Sequence, residues 1–104
     1  MLPSQPSESE LLKTVLEPLL EDFQYWFGRS RTLLENNDLD FLSNEEQTQL
    51  LERINNAIAE VDTAKMLFQA TDGKVGIETK TMMPWHALVT ECWQVAMKWH
   101  NTNK

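Results

Sequence analysis

Two long apolar stripes of matching helical period, joined by a short polar break, constrain this chain more than any other feature. In the first, Leu12, Leu16, Leu19, Phe23, Trp26, Ser30 and Leu33 follow one another at alternating steps of four and three, the spacing that keeps one face of an α-helix against a neighbour. Val15, Phe27 and Leu34 widen that face. The second runs through Leu50 or Leu51, Ile54, Ala57 with Ile58, Val61, Ala64 and Phe68. Stripes of this kind joined by a short connection bury each other as an antiparallel helical hairpin. The connection carries Asn36, Asn37, Asp38 and Asp40, whose side chains bond local backbone and favour turns. Leu39, Phe41 and Leu42 are placed to fold back over the hairpin's end.

Local signals set the boundaries. Ser7 stands three residues before Glu10, and Ser43 three before Glu46; each pair fits a capping box, in which hydroxyl and carboxylate satisfy orphan backbone donors at a helix start. Residues 1–7, with two prolines and no pattern, read as a flexible tail. Pro18 removes the bond to the Thr14 carbonyl and is expected to bend the first helix. The second helix should stop at Thr71, Asp72 and Gly73, where glycine suits the left-handed conformation that closes a helix.

Residues 81–100 hold three of the four tryptophans, both histidines and the only cysteine. At about 100° per residue, Trp85, Leu88, Cys92, Val95, Ala96 and Trp99 share one side, and His86, Val89, Trp93, Met97 and His100 form an adjoining stripe. So wide an apolar arc suits a helix that touches two neighbours, as a third helix in the groove of a hairpin must. Pro84 is expected in its first turn, where a missing donor costs nothing. The expected fold is all-α: a three-helix antiparallel bundle with a long helical hairpin near 8–35 and 44–72 and a shorter third helix near 82–100. The bundle forms one domain over 8–100, and residues 101–104 fray.

The formal charge of −7 argues against a nucleic-acid backbone or an anionic membrane surface as partner, because both are bound through clustered Lys and Arg. No apolar run approaches the roughly 20 residues needed to cross a bilayer. The first ten residues have neither the basic start nor the apolar run of a signal peptide, and one cysteine makes no internal disulfide. A cytoplasmic protein is expected.

Few residues carry chemistry. His86 and His100 are fourteen positions apart, so about 20 Å of helix separates them and they share no metal. Cys92 has no second thiol within ligand spacing and reads as a small buried hydrophobe. Ser30, central in its stripe, suits close backbone approach, with its hydroxyl bonded to the preceding turn. An enzymatic alternative is an all-α, magnesium-dependent nucleotide pyrophosphatase-like hydrolase, for which Glu17, Glu21, Asp22, Glu60 and Asp62 are the only available carboxylates. Glu17 and Glu21 fall opposite the apolar stripe, as a solvated acidic face would, and no glycine-rich phosphate loop accompanies them. A third reading places a tetrapyrrole or similar flat apolar ligand against His86 or His100. No catalytic residue, metal or cofactor is expected.

The tryptophans favour an interaction protein, since Trp is the residue most enriched at binding hot spots. The loop from Gly73 is longer than a bundle connection needs and leads into Trp85 and His86. Lys74, Trp85, His86 and Trp93 are the expected contacts for a protein partner or a second copy, centred on 73–86. Tyr25 joins them, because three consecutive aromatics on a helix cannot all face one core. The bland alternative is that the tryptophans are all core and Tyr25 lies along the surface with its hydroxyl in water.

The segments LLKTVLEPLLEDFQYWF, DFLS with EEQ, FQATDGKVGIET and MMPWHALVTECWQVAM together resemble a family of small cyanobacterial proteins classed as a domain of unknown function. The likeness spans nearly the whole chain. It implies an all-helical cytoplasmic protein of a photosynthetic bacterium and brings no activity, cofactor or partner.

Overall fold

The computed structural model describes residues 8–73 and 77–102. Three helices account for most of them: α1 (Glu8–Asn36), α2 (Asn44–Ala70) and α3 (Thr79–Thr102). Among the described residues there is no strand. Ser7, Lys74, Val75 and Gly76 lie outside the described residues, as do the rest of the expected tail and the last two positions.

Cross-helix contacts fix the directions. Down the α1–α2 hairpin, Lys13 pairs with Asp72, Gln69 donates to Glu17 (3.2 Å), Lys65 lies 3.8 Å from Glu21, and Gln24 donates to Asp62 (2.6 Å). As numbers rise on α1 they fall on α2, so the two are antiparallel. On α3, Glu91 receives both guanidinium nitrogens of Arg53 (3.1 and 2.5 Å), and the Trp85 indole donates to Glu60 at 3.2 Å. Thus α3 is antiparallel to α2 and runs parallel to α1.

The apolar core follows from the stripes, with one shift. On α2 the buried residues are Leu50, Ile54, Ala57, Val61 and Phe68, the expected seam. On α1 they are Leu16, Leu20, Phe23, Phe27 and Leu34. Leu20 is fully buried although it stands outside the expected stripe, and Leu19 and Trp26 pack only at the margin. Val15, expected to widen the face, is 63 % exposed. The cause is that α1 has two neighbours: Leu20 and Phe27 turn to the α2 side, while Leu19, Trp26 and Leu33 form the edge towards α3. A single four-three stripe followed that outer edge. Glu17 and Glu21 correct with it, since their contacts with Gln69 and Lys65 set them along the α2 flank and not on the far face.

The turn end of the hairpin is closed by side chains. The Ser43–Glu46 capping box forms as expected, with Ser43 N donating to Glu46 Oε1 (2.9 Å) and Glu46 N to Ser43 Oγ (3.0 Å). Leu39 is buried and Phe41 and Leu42 pack against the core, covering that end. Gln47 holds the turn: its amide donates to the carbonyls of Leu34 (2.9 Å) and Asn37 (2.7 Å), and its oxygen accepts from Leu39 N (3.1 Å). One side chain thereby bonds the Leu34 carbonyl, which the end of α1 leaves without a helical donor, and two further backbone groups of the turn.

At the other end, Gly73 N donates to Phe68 O (2.8 Å) and Asp72 N to Gln69 O (3.1 Å). This is the bond pattern of a Schellman closure. Gly73 has positive φ (79°), but the left-handed residue that ends the helix is Asp72, at φ 54°. The third helix starts earlier than expected. The Glu78 carbonyl accepts from Thr81 N (3.0 Å) and Met82 N (3.3 Å), so Pro84 sits beyond the first turn and leaves the Lys80 carbonyl without its usual helical donor. At the far end Asn101 and Thr102 are helical, and Thr102 donates to Lys98 O at 2.6 Å.

Candidate functional site: an aromatic groove between α1 and α3

The parallel packing of α1 and α3 brings together two runs of rings. Phe23 meets Trp85 and His86 edge to face, with centroids 5.6 and 5.0 Å apart. One turn further along α1, and two turns further along α3, Trp26 meets Trp93 edge to face at 5.5 Å, with 82° between the ring planes. Tyr25 packs edge-on to the other side of Trp26 at 5.1 Å. Arg29 completes the row: its guanidinium lies 5.7 Å from the Tyr25 ring centre and donates to the phenol oxygen at 3.1 Å. Such edge-to-face geometry sets positive ring edges against negative faces.

The expected site residues divide. Tyr25, His86 and Trp93 are exposed, and all three stand on this groove. Trp85 is 3 % exposed, its ring against Phe23 and its N–H bonded to Glu60. The expectation of Trp85 as a partner contact is corrected: because α3 starts at Thr79, this ring does not overhang the bundle end but faces inward in a later turn. Lys74 lies outside the described residues. Trp26 and Arg29 were missed, and His100 at the end of α3 was named only for a flat apolar ligand. Trp26 was assigned to the core stripe, and no signal in the sequence sets the register of α3 along α1.

Trp26 and Trp93 separate two cavities in the groove. The smaller, about 130 Å³, has Asp22, Phe23, His86 and Val89 among its walls. The larger, about 330 Å³, runs from the same pair towards Trp99 and His100, with Arg29, Ser30 and Cys92 along its sides. Cys92 is 2 % exposed. Burial pushes its thiol above the ordinary value, against a weaker opposite pull from the Ser30 hydroxyl hydrogen-bonded to it. Cys92 is therefore a neutral thiol at pH 7, without the thiolate character of a nucleophile.

The carboxylates weighed for magnesium are engaged individually. Glu17, Glu21, Glu60 and Asp62 contact Gln69, Lys65, Trp85 and Gln24 respectively, and Asp22 stands apart on the α3 side. Among the described residues no three His, Cys, Asp or Glu side chains converge as a metal site. No helix there is long and apolar enough to cross a membrane.

Fold and site thus define an all-helical three-helix bundle with a ring-lined groove between two parallel helices. The chain belongs to the family described as protein of unknown function (DUF2605), which matches residues 6–101. No curated protein and no solved structure gives a match.

Proposed function

We propose that this chain is a non-enzymatic interaction module of the cytoplasm, and that a protein partner docks on the α1–α3 aromatic groove. The observation that carries the reading is the Trp26–Trp93 pair, an edge-to-face anchor in which Trp93 remains 45 % exposed. Large rings held rigid by neighbours lose little freedom when a partner covers them, which is why Trp and Tyr dominate binding energy. Met97, one turn beyond Trp93, is 65 % exposed and Tyr25 54 %, so the apolar surface continues on both helices. This moves the docking surface from the 73–86 loop to the groove that begins at His86.

The test is capture from native extract with the full chain as bait, parent against His86→Ala combined with Met97→Ser. Both side chains are exposed, and substitutions at such positions usually stay within about 0.5 kcal/mol in stability. Loss of a specific partner by the double variant, with unchanged helicity, supports the groove. Equal capture by both proteins removes it, and a shift of the parent to dimer mass in light scattering would make the partner a second copy.

A further inference from the structure

The larger cavity has a chemistry of its own. Three indoles, Trp26, Trp93 and Trp99, contribute to its walls, and the ionisable nitrogen groups on it are the Arg29 guanidinium and the His100 imidazole. No Asp or Glu lines it, although the chain carries 16 acidic residues against 9 basic ones. Among the described residues neither Arg29 nor His100 is paired with a carboxylate. Arg29 is instead held by Tyr25, through the ring face and the phenol oxygen, an arrangement that positions the guanidinium without neutralising it. A volume of about 330 Å³ is at the small end of the range for small-molecule sites.

We infer that this cavity binds a small flat anion, an aromatic carboxylate or sulfonate whose ring lies among the three indoles and whose acid group meets Arg29 and the N–H of His100. The indole rings supply dispersion and edge-to-face contact, and the planar guanidinium matches two oxygens of one acid group. The inference shares Trp26 and Trp93 with the docking reading but does not depend on it.

The test uses the full chain and two probes of nearly the same shape: 8-anilinonaphthalene-1-sulfonate, and its uncharged counterpart N-phenyl-1-naphthylamine. The anionic probe is expected to saturate at one per chain, with quenching of tryptophan emission. Arg29→Gln should weaken it by about fivefold or more, the effect of one charge-assisted contact discounted for exposure, and leave the neutral probe unchanged. Ala96→Phe, a larger side chain at an exposed position on the cavity wall, should block both probes. Equal affinity of the anionic probe for parent and Arg29→Gln overturns the inference, as does the absence of saturable binding, or equal binding of the two probes by the parent. His86 and Met97, the positions altered in the partner test, do not line this cavity, so either reading can fail while the other stands.

Discussion

Trp26 of α1 and Trp93 of α3 sit 67 positions apart in the chain and meet with ring centres 5.5 Å apart, nearly perpendicular. Their contact sets the register between the two parallel helices midway along α3, where the buried face is thinning: beyond Cys92 the remaining apolar residues of α3 are half-buried or exposed. The pair therefore fastens the C-terminal half of α3 as well as dividing the groove.

If the rings act on each other and not only as separate apolar surfaces, Trp26→Ala and Trp93→Ala will be non-additive. A coupling of about 0.5–1.5 kcal/mol is expected, the usual worth of an aromatic pair beyond its area. Urea unfolding of the parent, both single variants and the double variant measures it. Strict additivity would mean that the rings are neighbours without mutual stabilisation.

Gln47 gives the second prediction. Replacing it by Leu removes bonds to Leu34 O, Asn37 O and Leu39 N together, and part of that turn is buried. At about 1 kcal/mol for each bond lost, the variant should be destabilised by about 2–3 kcal/mol. Glu at this position can still accept from Leu39 N but cannot donate to the two carbonyls, so Gln47→Glu should recover only a minority of the loss. Full recovery by Glu in denaturant unfolding would show that one acceptor bond suffices.

Much of this was legible before the structure because it depends on neighbours in sequence. The Ser43–Glu46 box spans three residues, and the α2 seam of Ile54, Ala57, Val61 and Phe68 needs only the helical period. Leu20 was missed because periodicity locates an apolar arc without saying how two partners divide it. Gln47 was missed because its three partners lie eight to thirteen positions away, at a turn whose shape only folding defines. The same limit hid the groove: Tyr25, His86 and Trp93 could be named as surface rings, but their meeting through Trp26 depends on a helix-to-helix register.

The core seam of α2 allows a severe test. Ile54 and Val61 are both 0 % exposed, so Asp at either position buries an unpaired charge costing several kcal/mol, comparable with a whole domain stability of about 5–15 kcal/mol. Ile54→Asp and Val61→Asp should each abolish cooperative melting by circular dichroism. Melting like the parent would contradict the packing of α2.

Acid should weaken the protein through identifiable groups. The Arg53 guanidinium bonded to Glu91 holds that carboxyl below its ordinary value of 4.5, and the Ser43 amide and hydroxyl do the same for Glu46. A depressed carboxyl contributes stability that is complete above the unfolded value and is lost as pH falls through the folded one. In Glu91→Gln that contribution is absent at every pH. The parent should therefore melt higher than Glu91→Gln at pH 7, and the gap should close as the pH is lowered well past 4.5. A gap independent of pH would assign the effect to packing instead of charge.

The last prediction concerns Asp72, which closes α2 in the left-handed region at φ 54° and pairs with Lys13 across the hairpin end. Two effects oppose each other here. A side chain with a Cβ pays for left-handed backbone, less for Asp and Asn than for other residues because their short polar groups bond locally. The ion pair compensates weakly, since the Asp72 side chain is 80 % exposed and surface pairs contribute little. Glycine at this position removes the backbone cost, while the exposed pair that it loses contributes little, so Asp72→Gly should match or exceed the parent's stability. Ala keeps the cost and loses both the pair and the local polar group; it should fall below the parent by about 1 kcal/mol. Asn preserves the tolerance for left-handed backbone without the charge and should lie close to the parent, with a difference that vanishes at high salt as an exposed ion pair is screened. Thermal melts of the three variants in low and high salt give the order Gly, then Asn, then Ala. Ala melting above Gly would mean that the closure is not strained at this residue, and a salt-independent deficit in Asn would place the role of Asp72 in its local hydrogen bonding and not in its pairing with Lys13.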